Sequence, residues 1–273
     1  MSVISYWVSF KCAVSLALLL VLPALAAQDV RVAAVYFPPY VTKTEQNPSD
    51  GLLADLLEAL NQTQGDFHFV AVPTSVKRRF RDFEQQRIDL AIFENPGWGW
   101  ENMPNHAVDM GLEDSEVFVA RAESGRDQHY FDELQGKRLA LYYGYHYAFA
   151  SFNAEPDYLT KNFRASLTHS HDSNLLMVLY QRAEIALVTR SYIGGFLERN
   201  PQYVGQLLIS ERVDQYYRHH VIIRPDAPIT AEQFEIIYES LRDNGQLQRI
   251  FSRYQVAVMP RVTDSSVEAR AVD

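Results

Sequence analysis

The strongest constraint on how this chain can fold is a change of rhythm that recurs along it. Short, apolar, strand-like runs give way to segments with the 3, 4 spacing of amphipathic helices. "VRVAAVYF" is followed at residues 51–60 by "GLLADLLEAL", where Leu52, Leu53, Leu56, Leu57 and Leu60 fall on one face. "FHFVAV" is a second strand, "SVKRRFRDFEQQR" is helical in composition, and "IDLAIF" is a buried strand leading into the loop "ENPGWGWENMPN". A second unit of the same style begins at Phe131. It runs through the turn and strand "FDELQGKRLALYYG", the strand "FRASLTH", the helix "DSNLLMVLYQR", the strand "EIALVT" and the short helix "RSYIGGFLERN". "YYRHHVIIRP" adds a strand, and Asn244-Gly245 separates two closing helices, glycine being the usual left-handed cap past a helix end. Strands alternating with helices predict an α/β protein with open sheets covered by helices. The 273 residues suffice for one large domain or two compact lobes.

The first 26 residues stand apart. Lys11, an apolar run from Cys12 to Leu22, Pro23 and then Ala24-Leu25-Ala26 follow the order of a secretory signal peptide, with cleavage expected after Ala26 or Ala27. The run is short for a bilayer span. Cys12 is the only cysteine, so the exported chain has no disulfide, thiol or cysteine metal chemistry. Cys12 is also misplaced for a lipid anchor. Lysine and arginine total 25 against 34 aspartates and glutamates, a formal charge of −9, and losing Lys11 makes the exported chain more acidic still. Such a surface argues against nucleic acid and anionic lipid as partners.

Several motifs, in order along the chain, resemble the bacterial extracellular solute-binding proteins of family 3, the type that includes periplasmic polar-amino-acid receptors. "VYFPPYV" is similar to the first-strand loop that carries a ligand-touching aromatic residue. "GLLADLLEAL" resembles the glycine, apolar and acidic helix signature, with Asp55 matching and Leu53 where an acidic residue is usual. "FEQQRIDLAIF", "FDELQGKRLALYYG" and "LRDNGQLQRIFSRYQV" resemble three further elements, with Arg87 where glycine is common.

The resemblance implies a type II periplasmic-binding-protein clamshell, a Venus flytrap with mixed sheets and two hinge crossovers. One lobe would take residues 27–112 and 211–258, the other residues 113–210, and residues 259–273 would be a polar tail. "DMGLEDSEVF" and "LLISERVDQYY" would cross between lobes, and ligand would lie at the carboxyl ends of the strands. A monomer is expected, working with an ABC permease or a membrane sensor.

In amino-acid-binding members an arginine after a "T-x-x-R" segment holds the α-carboxylate, and an aspartate after the second lobe's "D-A" strand takes the ammonium. Here the loop after "IDLAIF" has no arginine before Arg121, and Thr189 stands at the aspartate position. A buried zwitterion without charge partners is costly, so a standard α-amino acid is disfavoured. Aromatic residues take the vacant places. Trp98 and Trp100 lie in the loop, and Phe37, Tyr40 and Tyr145 in other cleft loops, with Glu94 and Glu101 flanking the tryptophans. Aromatic faces and a carboxylate favour a cationic or aromatic ligand; packing at the rim of the core is the competing role. Of Lys77, Arg78, Arg79 and Arg81, most belong on a solvated helix face, with Arg78 the best candidate to enter the cleft.

Metal binding is the minority reading of His169, His171 and Asp172, because Ser170 or Asp172 is a good helix N-cap, and of His219 and His220, which would face opposite sides of a strand. No metal or cofactor is expected. G-x-S-x-G, H-E-x-x-H and a cysteine nucleophile are missing, so a binding protein is favoured over an enzyme such as a dehydratase. A ligand-sensing or accessory module with the same fold is the other class.

Overall fold

The computed structural model describes residues 27–42, 51–254 and 256–259. The leader and most of the polar tail lie outside the described residues.

β1 (Gln28–Val35) ends in a loop holding Phe37, a cis Pro38-Pro39 bond and Tyr40, and α1 (Leu52–Thr63) follows. The helix buries Leu52, Leu53, Leu56, Leu57, Ala59 and Leu60, the face its leucine spacing predicts. Each fully buried leucine is worth about 1.5–3 kcal/mol. The first turn has no side-chain cap. Instead the amide of Leu53 donates to the Tyr40 carbonyl at 2.8 Å, and that of Leu52 reaches the Pro39 carbonyl at 3.4 Å. Amides left free by helix geometry therefore hold the aromatic loop in place. Gly51 makes this possible: φ is 102°, and a Cβ would lie 2.9 Å from the Pro39 carbonyl oxygen.

β2 (Phe67–Thr74), α2 (Arg78–Glu84) and β3 (Leu90–Glu94) complete the first unit, with β1 parallel to both β2 and β3. Two long antiparallel strands, β4 (His106–Arg121) and β8 (Leu207–Ile223), then run side by side through the molecule. Between them in sequence come β5 (Leu139–Tyr142), α3 (Pro156–Phe163), β6 (Ala165–Thr168), α4 (His171–Leu179), β7 (Ile185–Thr189) and α5 (Arg190–Arg199). α6 (Ala231–Asp243), α7 (Gln246–Ser252) and the short β9 (Ala257–Val258) close the chain. The sheet order is β2-β1-β3-β8-β4-β7-β5-β6, with β9 beside β4.

The fold is the two-lobed α/β clamshell with a mixed sheet. One core gathers Val30, Leu56, Phe69, Leu90, Phe234 and Phe251. Past the middle of β4 the core changes: Val117 and Val119 face one cluster with Leu175 and Phe196, while Phe118 and Ala120 face another with Phe131 and Leu187. That split is the two-residue period of a strand covered on both faces. "LLISERVDQYY" and "YYRHHVIIRP" form a single strand rather than a crossing segment plus a strand, because β4 pairs with almost the whole length. α3, with Pro156 in its first turn, is an element absent from the sequence reading. Ser170 caps α4, accepting from the Ser173 amide.

Candidate functional site

A crevice opens between the two halves, bounded by the loop after β1, the ends of α2 and β3, the middle of β4 and β8, and the loop after β5. It encloses about 690 Å³ of space, including its open mouth. Phe37, Trp98, Tyr145 and Tyr217 form its aromatic wall, with Arg79, Glu94 and Glu116 as its charged or ionisable members together with His146.

The aromatic groups come from four separate segments. Phe37 is fixed by paired backbone bonds with Val41 at 2.9 and 3.0 Å and stacks on Tyr40 at 4.8 Å. Its ring meets Tyr145 of the opposite half edge-on at 5.4 Å, and Trp98 meets Tyr217 of β8 at 5.2 Å. Edge-to-face pairs are the favoured arrangement of such rings. The lips touch elsewhere too. Gly144 (φ 81°) approaches Val76 so closely that a Cβ would lie 3.0 Å from its Cγ1, and Lys77 Nζ sits 5.6 Å from the Tyr143 ring centre.

Glu94 reaches the crevice through an irregular end of β3. The pairing with β8 slips between Ala91 and Glu94, and Phe93 adopts φ 63°. Such bulges re-aim side chains beside functional sites. Glu94 Oε1 lies 2.9 Å from Arg79 Nε, and Oε2 accepts from Trp100 Nε1 at 2.9 Å. Burial pushes the Glu94 carboxyl up, against the pull of Arg79 and Trp100. Arg79 is itself buried, donating to the Val76 carbonyl at 2.8 Å, with its guanidinium 4.4 Å from the Phe80 ring centre.

Glu116 has no such cation. It is 1% exposed, on the stretch of β4 between the lobes. Oε1 accepts from Thr189 Oγ1 at 2.7 Å and Tyr217 Oη at 3.2 Å, while Oε2 has no partner. Burial pushes its carboxyl well above the ordinary glutamate range, and Asp114 and Asp214 add to that. Behind it, His171 Nε2 lies 3.2 Å from Tyr145 Oη and 3.3 Å from Thr189 Oγ1, and burial pulls this imidazole down to about 3, so it is neutral. Asp114 accepts from Tyr40 Oη at 2.6 Å and Ser191 Oγ at 2.5 Å, joining the aromatic loop to the start of α5.

Of the eight candidate residues, Phe37, Glu94, Trp98 and Tyr145 line the crevice. Four do not. Tyr40 and Trp100 are 0% exposed and belong to the core, Tyr40 against Phe93 and His219 and Trp100 against Phe80 and Phe83. A single residue, Gly99, separates Trp98 from Trp100, and at φ 94° it turns the chain between them. Arg78 points away and lies 4.0 Å from Asp82, whereas its neighbour Arg79 turns inward. Thr189 sits one hydrogen bond behind the crevice, on Glu116.

Glu116 and Tyr217 lie on the crossing strands, which the resemblance assigns to the hinge, so neither residue type nor a loop position points to them in the sequence. The sequence carries one sign of them: "DMGLEDSEVF" places four acids, Asp109, Glu113, Asp114 and Glu116, in a segment otherwise built for burial. Among the described residues no group of three or more His, Cys, Asp or Glu is arranged to hold a metal, and no helix is long and apolar enough to cross a membrane.

No family model and no curated protein sequence matches the chain. Solved structures do. The GluR0 ligand-binding core from Nostoc punctiforme in complex with L-glutamate is 15% identical at a TM-score of 0.61, covering 83% of this chain and 99% of that one. An ABC uptake transporter substrate-binding protein from Streptococcus pneumoniae with bound histidine is 16% identical at 0.65, covering 83% and 92%. An ancestral arginine-binding protein bound to arginine is 14% identical at 0.61, covering 83% and 98%. At these identities the likeness establishes the fold: this is a two-lobed binding-protein fold spanning nearly the full length of those chains.

Proposed function

We propose that the chain is an exported, periplasmic solute-binding protein of the family 3 type, whose lobes, divided near residues 113 and 211, close round a small organic molecule and deliver it to an ABC-type importer. The observation that carries this reading is the crevice itself: aromatic side chains from both halves converge on one narrow space, flanked by two buried carboxyl groups. Closure is stabilised by whatever a guest gains in touching both lips at once. The secretory character of the first 26 residues supports export.

The similar structures carry glutamate, histidine or arginine, but the charge pattern here favours a different guest. Among the described residues Arg79 is the one lysine or arginine on the crevice wall, and its Nε lies against Glu94. An α-carboxylate would have to compete with Glu94 for it. A cationic or aromatic molecule needs no such exchange.

A thermal-shift screen of the mature protein against amines, amino acids, sugars and aromatic acids tests the reading. A guest at 100 times its Kd adds about 2.7 kcal/mol of stability. Stabilisation by an amine or an aromatic compound is the expected result. A flat response across all four classes would sink the binding-protein assignment. Loss of uptake of the same compound on deleting the gene distinguishes delivery from the second reading, a ligand-sensing module, which the likeness to the GluR0 ligand-binding core favours.

A further inference from the structure

We propose that Glu116 is the counter-ion for an organic monocation seated against Phe37, Trp98, Tyr145 and Tyr217, and that this cation displaces a proton from the carboxyl group as it enters. The proposal rests on the solute-binding reading and names the charge class of the guest.

The geometry carries it in three steps. First, Glu116 is 1% exposed, lines the crevice, and leaves Oε2 without a partner while Oε1 takes two hydroxyl donors. A buried carboxyl oxygen left open in this way is costly unless something is meant to fill it.

Second, among the described residues no lysine, arginine or histidine forms an ion pair with it, and Arg190 of α5 donates to Ser115 Oγ at 3.3 Å instead. From β4 and β8 come the acids Asp114 and Asp214 and the phenol Tyr217; from the loop after β5 come Tyr145 and Tyr147; from the loop after β1 comes Tyr40. Thr189, at the end of β7, is a hydroxyl, and His171 of α4 is held neutral by burial. Across the crevice Arg79 lies against Glu94, and His146 is pulled below its ordinary value by burial. Ionising a carboxyl so placed is disfavoured while no cation lies beside it, and burial accordingly pushes it well up.

Third, the walls beside it are aromatic faces and edges, the surfaces on which ammonium groups are held by ring quadrupoles. Entry then balances as one proton leaving for one cation arriving, with no change in the charge of the crevice. This also accounts for Arg79 remaining with Glu94. The site holds one carboxyl with both oxygens engaged, Glu94, and one with an oxygen open, Glu116.

Matched probes test this on the mature protein. Phenethylamine and choline are the cations, L-phenylalanine adds a carboxylate to the first, and phenethyl alcohol removes its charge. Calorimetric titration in two buffers of different ionisation enthalpy should show about one proton released per cation bound, and affinity should fall about tenfold per pH unit through the acid range. Glu116→Gln should abolish the proton release and weaken phenethylamine to the level of phenethyl alcohol, which itself binds both forms equally. Circular dichroism of the variant checks its fold, and the proton count on the unmodified protein stands independently of it.

Binding of phenylalanine or phenethyl alcohol more tightly than phenethylamine would overturn the cation while leaving a binding protein. Cation binding without proton release would overturn the exchange, and no binding of either cation would overturn both. Failure of the full four-class screen is the separate result that would remove the binding reading itself.

Discussion

The backing of the first lobe and the wall of the crevice are built from the same kinds of residue, yet a buried carboxyl in the one is fully paired and a buried carboxyl in the other is open. In the backing, Asp89 is fully buried and takes Arg31 and Arg224, each at 2.7 Å, plus the Arg31 amide at 2.9 Å. Burial alone would raise its carboxyl, but these bonds and charges hold it below the usual range. Trp100 is sealed between Phe80 and Phe83, its indole N–H spent on Glu94. On the wall, Glu116 keeps one oxygen free, and Trp98 is only half-buried, with its rim toward the cavity. Saturated groups hold a structure together, whereas groups left short of partners in a cleft are where another molecule fits.

The contrast can be broken most forcefully at the tryptophans. Trp100→Ala should cost about 3–5 kcal/mol in chemical denaturation, as large aromatic deletions from cores do, whereas Trp98→Ala should cost a small fraction of that and instead erase guest-induced stabilisation in a thermal-shift assay. Equal losses of stability would dissolve the distinction between backing and wall. Next comes Asp89→Ala, which strands two arginines and should cost about 3 kcal/mol by the same measurement.

The two carboxyls should also differ in how their contributions respond to pH. Asp89 is depressed when folded, so its stabilisation is present above its unfolded value near 3.8 and is lost as pH falls through the folded one. Glu116 is raised when folded, so the empty protein loses stability as pH climbs from the unfolded value of 4.5 toward the folded one. Glu116→Gln should therefore leave thermal stability near pH 4 unchanged and raise it progressively as pH climbs above the unfolded glutamate value, by at most about 1.4 kcal/mol per pH unit. An identical pH profile for variant and parent would remove the open carboxyl. The smallest effect belongs to Arg78→Ala, an exposed side chain, within about ±0.5 kcal/mol. A large loss of guest binding there, with Arg79→Ala silent, would reverse which arginine faces the crevice.

Periodicity made most of the fold legible. The leucines of α1, the strand "IDLAIF" and the Asn244-Gly245 break are local patterns, and each element formed where its pattern lies. α3 is short, eight residues opening on Pro156, and fully buries only Leu159, so it lacks the run of apolar residues that marks α1. The lining of the crevice was half legible. Phe37, Trp98, Glu94 and Tyr145 were visible as aromatic and acidic residues in loops at strand ends. Tyr40, Trp100 and Arg78 were chosen for type and position, but two of them proved to be core and the third solvated.

By itself the sequence determined the alternating elements, the family-like order of motifs and the lack of the usual zwitterion partners, because these depend on residue type and spacing along one chain. Tertiary structure decided which of two neighbouring arginines turns inward, which of two tryptophans is sealed, and that Glu116 meets Thr189 and Tyr217 from segments 73 and 101 residues away. Orientation about a strand or a short helix changes with each residue, and whether a polar atom is satisfied is set by neighbours that only the folded chain brings together.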